Sequence, residues 1–241
     1  MIELINIIKR FPVCDDIAHN DQVREGFFYA LDDVSLSVKS GECVIIAGAN
    51  GSGKSLLMSI IARLDEPTGG TVNTNAKAGL VFQEPDAQIL GETPREDIAF
   101  GPRNMKLSKE KIKLKVEDAL KKTGLENRAD FPSRSLSGGE KRRLAAAGVL
   151  AMNAEIIIFD EPYANMDFPG IIQINKLIKN LISDKKTIIV LTHEIEKCLS
   201  FASRFIVLYK GKKVLDCPAS CSLEYDLESW GIKHPPGGLL W

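Results

Sequence analysis

Several stretches combine residue types that handle phosphate. GANGSGKS, residues 48–55, has the spacing G-x-x-x-x-G-K-S. Its glycines let successive backbone N–H groups wrap an oxyanion, Lys54 adds a point charge for the outer phosphates, and the Ser55 hydroxyl suits Mg²⁺. EIIIFDE, residues 155–161, is an apolar run ending in two carboxylates. Asp160 at the tip suits the hydration shell of that ion. Glu161, pointing the other way, can take a proton from an attacking water. His193 follows TIIVLT and Gln83 follows LVF, at strand C-terminal ends, where α/β sheets gather ligands. There His193 can bond a terminal phosphate and Gln83 can offer its amide to the metal or the water, although a strand-end histidine taken alone is commonly structural.

LSGGEKRR, residues 136–143, has two readings. Ser137 with Glu140 three residues later is a capping box that closes the start of a helix. Glycines in that first turn also leave N–H groups bare to an anion, which the helix dipole favours. The loop at 48–55 already supplies one cradle, so a second anion site some 80 residues on would have to serve a phosphate outside its own monomer.

The elements that must position these residues follow from hydrophobic periodicity. IELINII (2–8) and DVSLSVK (33–39) alternate like half-exposed strands, whereas CVIIA (43–47), EIIIFD (155–160) and TIIVLT (187–192) are continuously apolar, as strands covered on both faces are. A parallel α/β core is expected. Leu57, Ile60, Ile61 and Leu64, and Ile174, Leu177, Ile178 and Leu181, recur at helical spacing. KEKIKLKVEDALKKT (109–123) puts Ile112, Val116, Ala119 and Leu120 on one face, with Ser108 as N-cap and Gly124 as C-cap. This helix and the one opening at Ser137 interrupt the strands, so about 86–152 reads as a helical subdomain within a core of about 1–85 and 153–222. FIVLYKGKKVLD (205–216) reads as a hairpin turning near Gly211, residues 13–26 as a polar loop, and 223–241 as a short tail.

Length and composition narrow the class. A chain of 241 residues, 44% hydrophobic and 26% charged with formal net charge -1, holds one sizeable core and has no bulk charge to draw it to nucleic acid or a membrane. No nucleic-acid partner is expected. No apolar run reaches the roughly 18 to 20 residues of a membrane span, and the start lacks a leader pattern. The chain reads as cytosolic. Its 5 cysteines are scattered like reduced thiols, and Cys217 and Cys221 lack the second pair that a metal site needs.

The order phosphate loop, Gln83, LSGGE, EIIIFDE, His193 resembles the ATP-binding subunits of ABC transporters, over essentially the whole chain. The resemblance implies a P-loop NTPase fold of the ABC type: a mostly parallel sheet with an N-terminal antiparallel part and a helical subdomain. It implies ATP and Mg²⁺ as ligands and two cassettes, same or related, packed head to tail around two ATP. ATP-binding residues would be Gly48, Ala49, Asn50, Gly51, Ser52, Gly53, Lys54, Ser55, Leu56 and Gln83, with Ser137, Gly138, Gly139, Glu140 and the dimer-contact Asp167 acting across the pair. Ser55, Gln83 and Asp160 would face the metal. Glu161 would be the base, with Gln83 and His193 as the Q-loop and switch histidine beside Lys54. Phe11 matches the aromatic that stacks on adenine, with Phe27, Phe28 and Tyr29 as rivals and core packing as the alternative for all four. Ala164-Asn165-Met166 departs from the usual Ser-x-Leu.

A narrower resemblance lies in FQEPDAQILGETPREDIAFGP, residues 82–102, which is similar to a segment of energy-coupling-factor and cobalt-type importer ATPases. Gln83, Pro85, Gln88, Glu96, Asp97, Ala99, Phe100, Gly101 and Pro102 match, while Ile89-Leu90 and Pro94 depart. It implies an ATPase on the cytoplasmic face of the membrane, powering import of vitamins or metal ions, with Ile89, Leu90 and Phe100 receiving a helix of an integral membrane subunit. Other readings are that these apolar residues anchor the subdomain, that the chain serves another ABC transporter, an exporter included, or that it is a soluble ABC ATPase.

Overall fold

Apolar runs become central strands because only a site covered on both faces removes every side chain from water. In the computed structural model, which describes residues 1–13 and 21–235, this holds for β4 (Cys43–Ala47), β7 (Ile156–Asp160) and β8 (Thr187–Leu191). With β6 (Ala78–Val81), β9 (Arg204–Tyr209) and β10 (Lys212–Pro218) they form a six-stranded sheet in the order β10-β9-β4-β8-β7-β6, parallel except for the β9–β10 hairpin. That hairpin turns at Gly211, whose φ of 74° is glycine's own territory. The alternating strands pair in a second, antiparallel sheet, β2-β3-β1-β5, built from β1 (Ile2–Pro12), β2 (Val23–Arg24), β3 (Phe27–Val38) and β5 (Gly69–Thr74).

Strand alternation sorts the core into two layers. Val44, Ile46, Ile158, Ile189 and Leu191 face the antiparallel sheet and helix α1 (Lys54–Ile61), where they meet Leu4, Ile7, Val34, Leu57 and Met58. Ile45, Ile157, Phe159, Ile188 and Val190 face the other way, onto α4 (Gly138–Ala151) and α5 (Phe168–Ser183). A third cluster joins α2 (Pro94–Asn104), α3 (Lys109–Thr123) and α4 through Ile98, Val116, Leu120, Leu144 and Ala147. Helix α4 therefore belongs to two cores at once. Ala145, Ala146 and Val149 look into the sheet layer, and Leu144, Ala147 and Ala151 into the helical one.

The caps of α3 are as expected: Ser108 Oγ accepts from Lys111 N, and Gly124 is left-handed at φ 66°. Two expectations change. The polar stretch 13–26 contains the two-residue strand β2, paired with Phe27 and Phe28; residues 14–20, with Cys14, lie outside the described residues. The tail is more than an appendage, because Leu227 and Ile232 are buried in the sheet-and-α5 core; residues 236–241 lie outside the described residues. Among the described residues no helix is long and apolar enough to cross a membrane.

Candidate active site

Strand order brings the predicted residues to one edge. Because β4, β8, β7 and β6 are consecutive neighbours, the segments leaving their C-terminal ends, carrying the 48–53 loop, His193, Asp160 with Glu161, and Gln83, lie side by side. The loop is pinned on its protein side. A Cβ on Gly48 would stand 2.2 Å from Leu208 O, and one on Gly53 would stand 2.8 Å from Ala30 O. Gly211 N donates to Ser52 O at 3.2 Å and Asp32 N to Gly211 O at 2.8 Å, which ties loop, hairpin and β3 together. Gly231 backs onto Ala49, where an added Cβ would approach to 3.0 Å. The opposite side is open: a Cβ on Gly51, at φ 78°, would meet nothing within 4 Å. Asn50 is exposed and Leu56 packs against the core, which leaves Leu56 only its backbone to offer a ligand.

Lys54 is buried at the start of α1, and its ammonium donates to Gly48 O at 2.7 Å and Ala49 O at 3.1 Å, curling the loop around its own charge. Burial lowers its pKa, and Glu161 and Asp160 oppose that shift. Ser55 Oγ donates to Asp160 Oδ1 at 3.3 Å. Burial raises the Asp160 pKa, with the Ser55 hydrogen bond lowering it and the Glu161 charge raising it again. One residue on, Glu161 is 6% exposed and sits at φ 44°, a left-handed conformation that costs a non-glycine residue about 1 to 3 kcal/mol and persists where the surroundings enforce it. Here they do, since Glu161 N donates to Leu191 O at 2.9 Å and turns the chain sharply off β7. Its Oε1 lies 3.1 Å from His193 Nδ1, while its Oε2 is buried without a hydrogen-bond partner. Gln83 is exposed at the end of β6.

The LSGGE stretch forms the capping box: Ser137 Oγ accepts from Glu140 N and Glu140 Oε2 accepts from Ser137 N at 2.9 Å. Those bonds occupy the N–H groups of Ser137 and Glu140 and leave those of Gly138 and Gly139 at the exposed tip. Among the described residues no hydrogen bond joins this tip to 48–55. It adjoins instead the loop after Glu161, where Met166 Cε would lie 3.2 Å from a Cβ on Gly139. Asp167 is the N-cap of α5, its Oδ1 accepting from Gly170 N at 3.0 Å. Behind the tip, Arg142 is buried and donates to backbone carbonyls on both flanking loops. The sequence signal for this residue is slight, a basic side chain on the stripe of Ala145, Ala146 and Val149.

Residues 31–164 match the model of the ABC transporter family. The chain belongs to the ABC transporter ATPase family. It is 40% identical over 226 residues, 86% of this chain and 78% of the relative, to an energy-coupling factor transporter ATP-binding protein, EcfA2, of Clostridium tetani. Among solved structures it is similar to cbiO1 of Clostridium perfringens, part of the ABC transporter complex cbiONQ, with TM-score 0.78, 30% identity and coverage of 91% of this chain and 88% of that one. It is similar also to the ATP-binding cassette MJ0796, a dimer in a post-hydrolysis state bound to ADP and Pi, with TM-score 0.77, 31% identity and coverage of 91% and 99%.

Elsewhere in this ABC cassette, the aromatic candidates separate. Phe11 is 43% exposed beside the Lys9 ammonium and pairs across the sheet with Phe28. Phe27 lies under the Arg10 guanidinium at 4.3 Å and Tyr29 under that of Arg24 at 4.2 Å. All three rivals are half-buried, not core residues. In the 82–102 segment the matching polar residues shape backbone. The Gln88 amide accepts from Phe82 N and donates to Leu80 O, both at 3.1 Å, closing the turn that carries Gln83. Asp97, whose pKa burial raises, accepts from Leu90 N at 2.7 Å and Gly91 N at 2.9 Å. So fixed, the loop leaves Leu90 68% and Phe100 48% exposed, with Ile89 half-buried against the helical cluster. Ile89 lines a groove of about 510 Å³ together with Asp86, Gly91, Thr93, Pro132 and Ser133.

Proposed function

We propose that this chain is the ATP-hydrolysing subunit of a membrane importer of the energy-coupling-factor type, working as a head-to-tail pair of cassettes around two ATP. The observation that carries the reading is Glu161, a buried carboxylate beside the phosphate loop with one oxygen held by His193 and the other unpartnered. An oxygen so placed is a proton acceptor in waiting.

The geometry supports these roles. The backbone of Gly48, Ala49, Asn50, Gly51, Ser52 and Gly53 wraps the phosphates on the loop's open side, continued by the N–H groups of Lys54, Ser55 and Leu56 at the start of α1. Lys54, which donates to two loop carbonyls, redirects its ammonium to the outer phosphates. Phe11 offers its exposed ring to adenine. Mg²⁺ fits this donor set: the oxygens of Ser55 and Asp160 stand together, and the Asp160 carboxyl, whose pKa burial raises, is a hard oxygen donor beside a second carboxylate, Glu161. Ser55, Asp160 and Gln83 would hold it, and when bound it spreads the charge that develops on the phosphate oxygens. Glu161 Oε2 takes the proton of the attacking water as its oxygen bonds to the γ-phosphorus and ADP leaves. His193 keeps the carboxylate in position and reports the γ-phosphate.

Ser137, Gly138, Gly139 and Glu140, with Asp167, serve the ATP of the partner cassette. Support comes from the open N–H groups of Gly138 and Gly139, and among the described residues no hydrogen bond joins that tip to the chain's own 48–55 loop. The helical part, about 86–152, would carry the docking surface of Leu90, Phe100 and the Ile89 groove for an integral membrane subunit, holding the chain peripherally on the cytoplasmic face. The test is the solution mass of Glu161→Gln with and without Mg-ATP. A monomer that becomes a dimer only with ATP supports the two-cassette reading. A persistent monomer that binds ATP removes the homodimer and calls for a related chain as partner.

A further inference from the structure

Arg142 is the most buried cation of α4, 5% exposed. Its Nη2 donates to Gln83 O at 2.8 Å, and its Nη1 donates to Pro162 O at 3.1 Å and Ala164 O at 3.2 Å. Gln83 follows β6, Pro162 and Ala164 follow β7, and these strands are neighbours. Among the described residues no carboxylate pairs with it, and Nε has no partner. Burying an ion without a counter-ion is costly, and an apolar side chain of similar volume would pack there at less expense. What a guanidinium supplies and a methionine cannot is a rigid fork of donors that fixes several acceptors at once.

Those acceptors belong to the two loops on which hydrolysis depends under the reading above. One carries Gln83; the other begins at Glu161 and runs to Asp167. The helix holding the fork starts at Ser137, Gly138 and Gly139, the residues assigned to the partner's ATP. A neighbouring ion pair, Lys141 to Asp86 at 2.6 Å, repeats the link, but Asp86 is largely exposed and the pair is screened. Among the described residues no hydrogen bond or ion pair joins Arg142 to 48–55.

We propose that Arg142 is a positioning residue for hydrolysis: by tying the start of α4 to Gln83 and to the loop after Glu161, it makes each cassette's contact with the partner's ATP felt at its own hydrolytic groups. The inference rests on the ATPase reading, and the wild-type chain serves as its control. The experiment compares wild type, Arg142→Met and Arg142→Lys for ATP affinity, kcat, the Hill coefficient of ATPase activity against ATP, and thermal midpoint. Expected for Arg142→Met are an unchanged midpoint, ATP affinity within about twofold of wild type, kcat lower by at least about tenfold, as loosened alignment predicts, and a Hill coefficient that falls toward one. Arg142→Lys, which keeps the charge without the fork, should lie between, and it decides the question if the methionine variant does not fold. Wild-type kcat and cooperativity in the variants would overturn the proposal. So would ATP affinity, kcat and midpoint falling together, the mark of plain packing. A wild-type chain that neither hydrolyses ATP nor pairs in its presence would instead bring down the functional reading, and the proposal with it.

Discussion

Gly48 opens the 48–55 loop and Gly51 lies within it, and they are constrained by different things, so alanine at each reports on a different contact. At Gly51 the protein leaves room, and an added Cβ would meet nothing within 4 Å. Its φ of 78° is left-handed, which costs a side chain about 1 to 2 kcal/mol; in a chain of this size that lowers the thermal midpoint by about 2 to 8 °C. At Gly48 the added atom would sit 2.2 Å from Leu208 O and 2.6 Å from Ser52 Oγ, so loop or strand must give by about 1 Å, which in a close-packed interior costs more than left-handed strain alone. Gly48→Ala should therefore lose more stability without ligand than Gly51→Ala.

With ATP the emphasis reverses. Wild type at a hundredfold excess over Kd gains about 2.7 kcal/mol. In the proposed binding mode a methyl on the open side of the loop stands where the phosphates approach, and a tenfold weaker Kd would cut that gain to about 1.4 kcal/mol at the same ATP concentration. Thermal unfolding of the three proteins with and without Mg-ATP makes the comparison. If Gly51→Ala keeps the full ATP-induced shift, the phosphates do not lie against Gly51. If Gly48→Ala unfolds at the wild-type temperature without ligand, the contact with Leu208 O constrains nothing.

With the proposed role of Glu161 as proton acceptor, Glu161→Gln should leave ATP bound and lower kcat by about 10² to 10⁴, read in a phosphate-release assay; a smaller loss would mean another group takes the proton. Asp160→Asn should stabilise the ligand-free chain near neutral pH. Because folding raises this carboxyl's pKa, its cost is present above the folded pKa and vanishes below the unfolded one, so the gain of the variant over wild type should fade as pH falls, and a gain that grows in acid would contradict the sign. The same variant should lose stabilisation by Mg-ATP. Leu90→Asp combined with Phe100→Ala, both exposed, should leave the thermal midpoint and basal ATPase unchanged and abolish co-purification with the membrane subunits; unimpaired co-purification would move the docking surface elsewhere.

The parts of this site that sequence makes legible are those whose chemistry is local. The loop 48–55, the carboxylates ending β7 and the capping box each depend on spacing within a few residues, and continuous apolar runs place β4, β7 and β8. What stays hidden depends on distant packing. Strand β5, GGTVNT, has a single large apolar residue and exists because β1 pairs with it. Helix α2 contains Pro102 and Gly101 and holds because Thr93 caps it and its buried residues meet α3 and α4. The tail gives no periodic signal, yet Leu227 and Ile232 close the core and Gly231 braces Ala49. Arg142 looks in the sequence like one more cation on a helix rich in them, and only the sheet order brings its three acceptors within reach.

The two readings of LSGGE also cease to compete once the hydrogen bonds are assigned. A capping box uses the N–H groups of Ser137 and Glu140, and an anion site needs those between them, on Gly138 and Gly139. The Glu140 carboxylate would repel a phosphate in that place, but Arg128 lies 3.1 Å from it and is itself held over the Phe131 ring at 4.9 Å. The box thus fixes the direction of the two N–H groups proposed to meet the partner's phosphate, and Arg128 would offset the Glu140 charge there. Replacing Arg128 with alanine should then weaken ATP-dependent pairing of the cassettes while leaving ATP binding to a single chain intact, since among the described residues no hydrogen bond or ion pair joins it to 48–55. Analytical ultracentrifugation of the Glu161→Gln protein, with and without this second change, separates the two effects, and pairing that survives the loss of Arg128 would mean the Glu140 charge is not felt at the partner's phosphate.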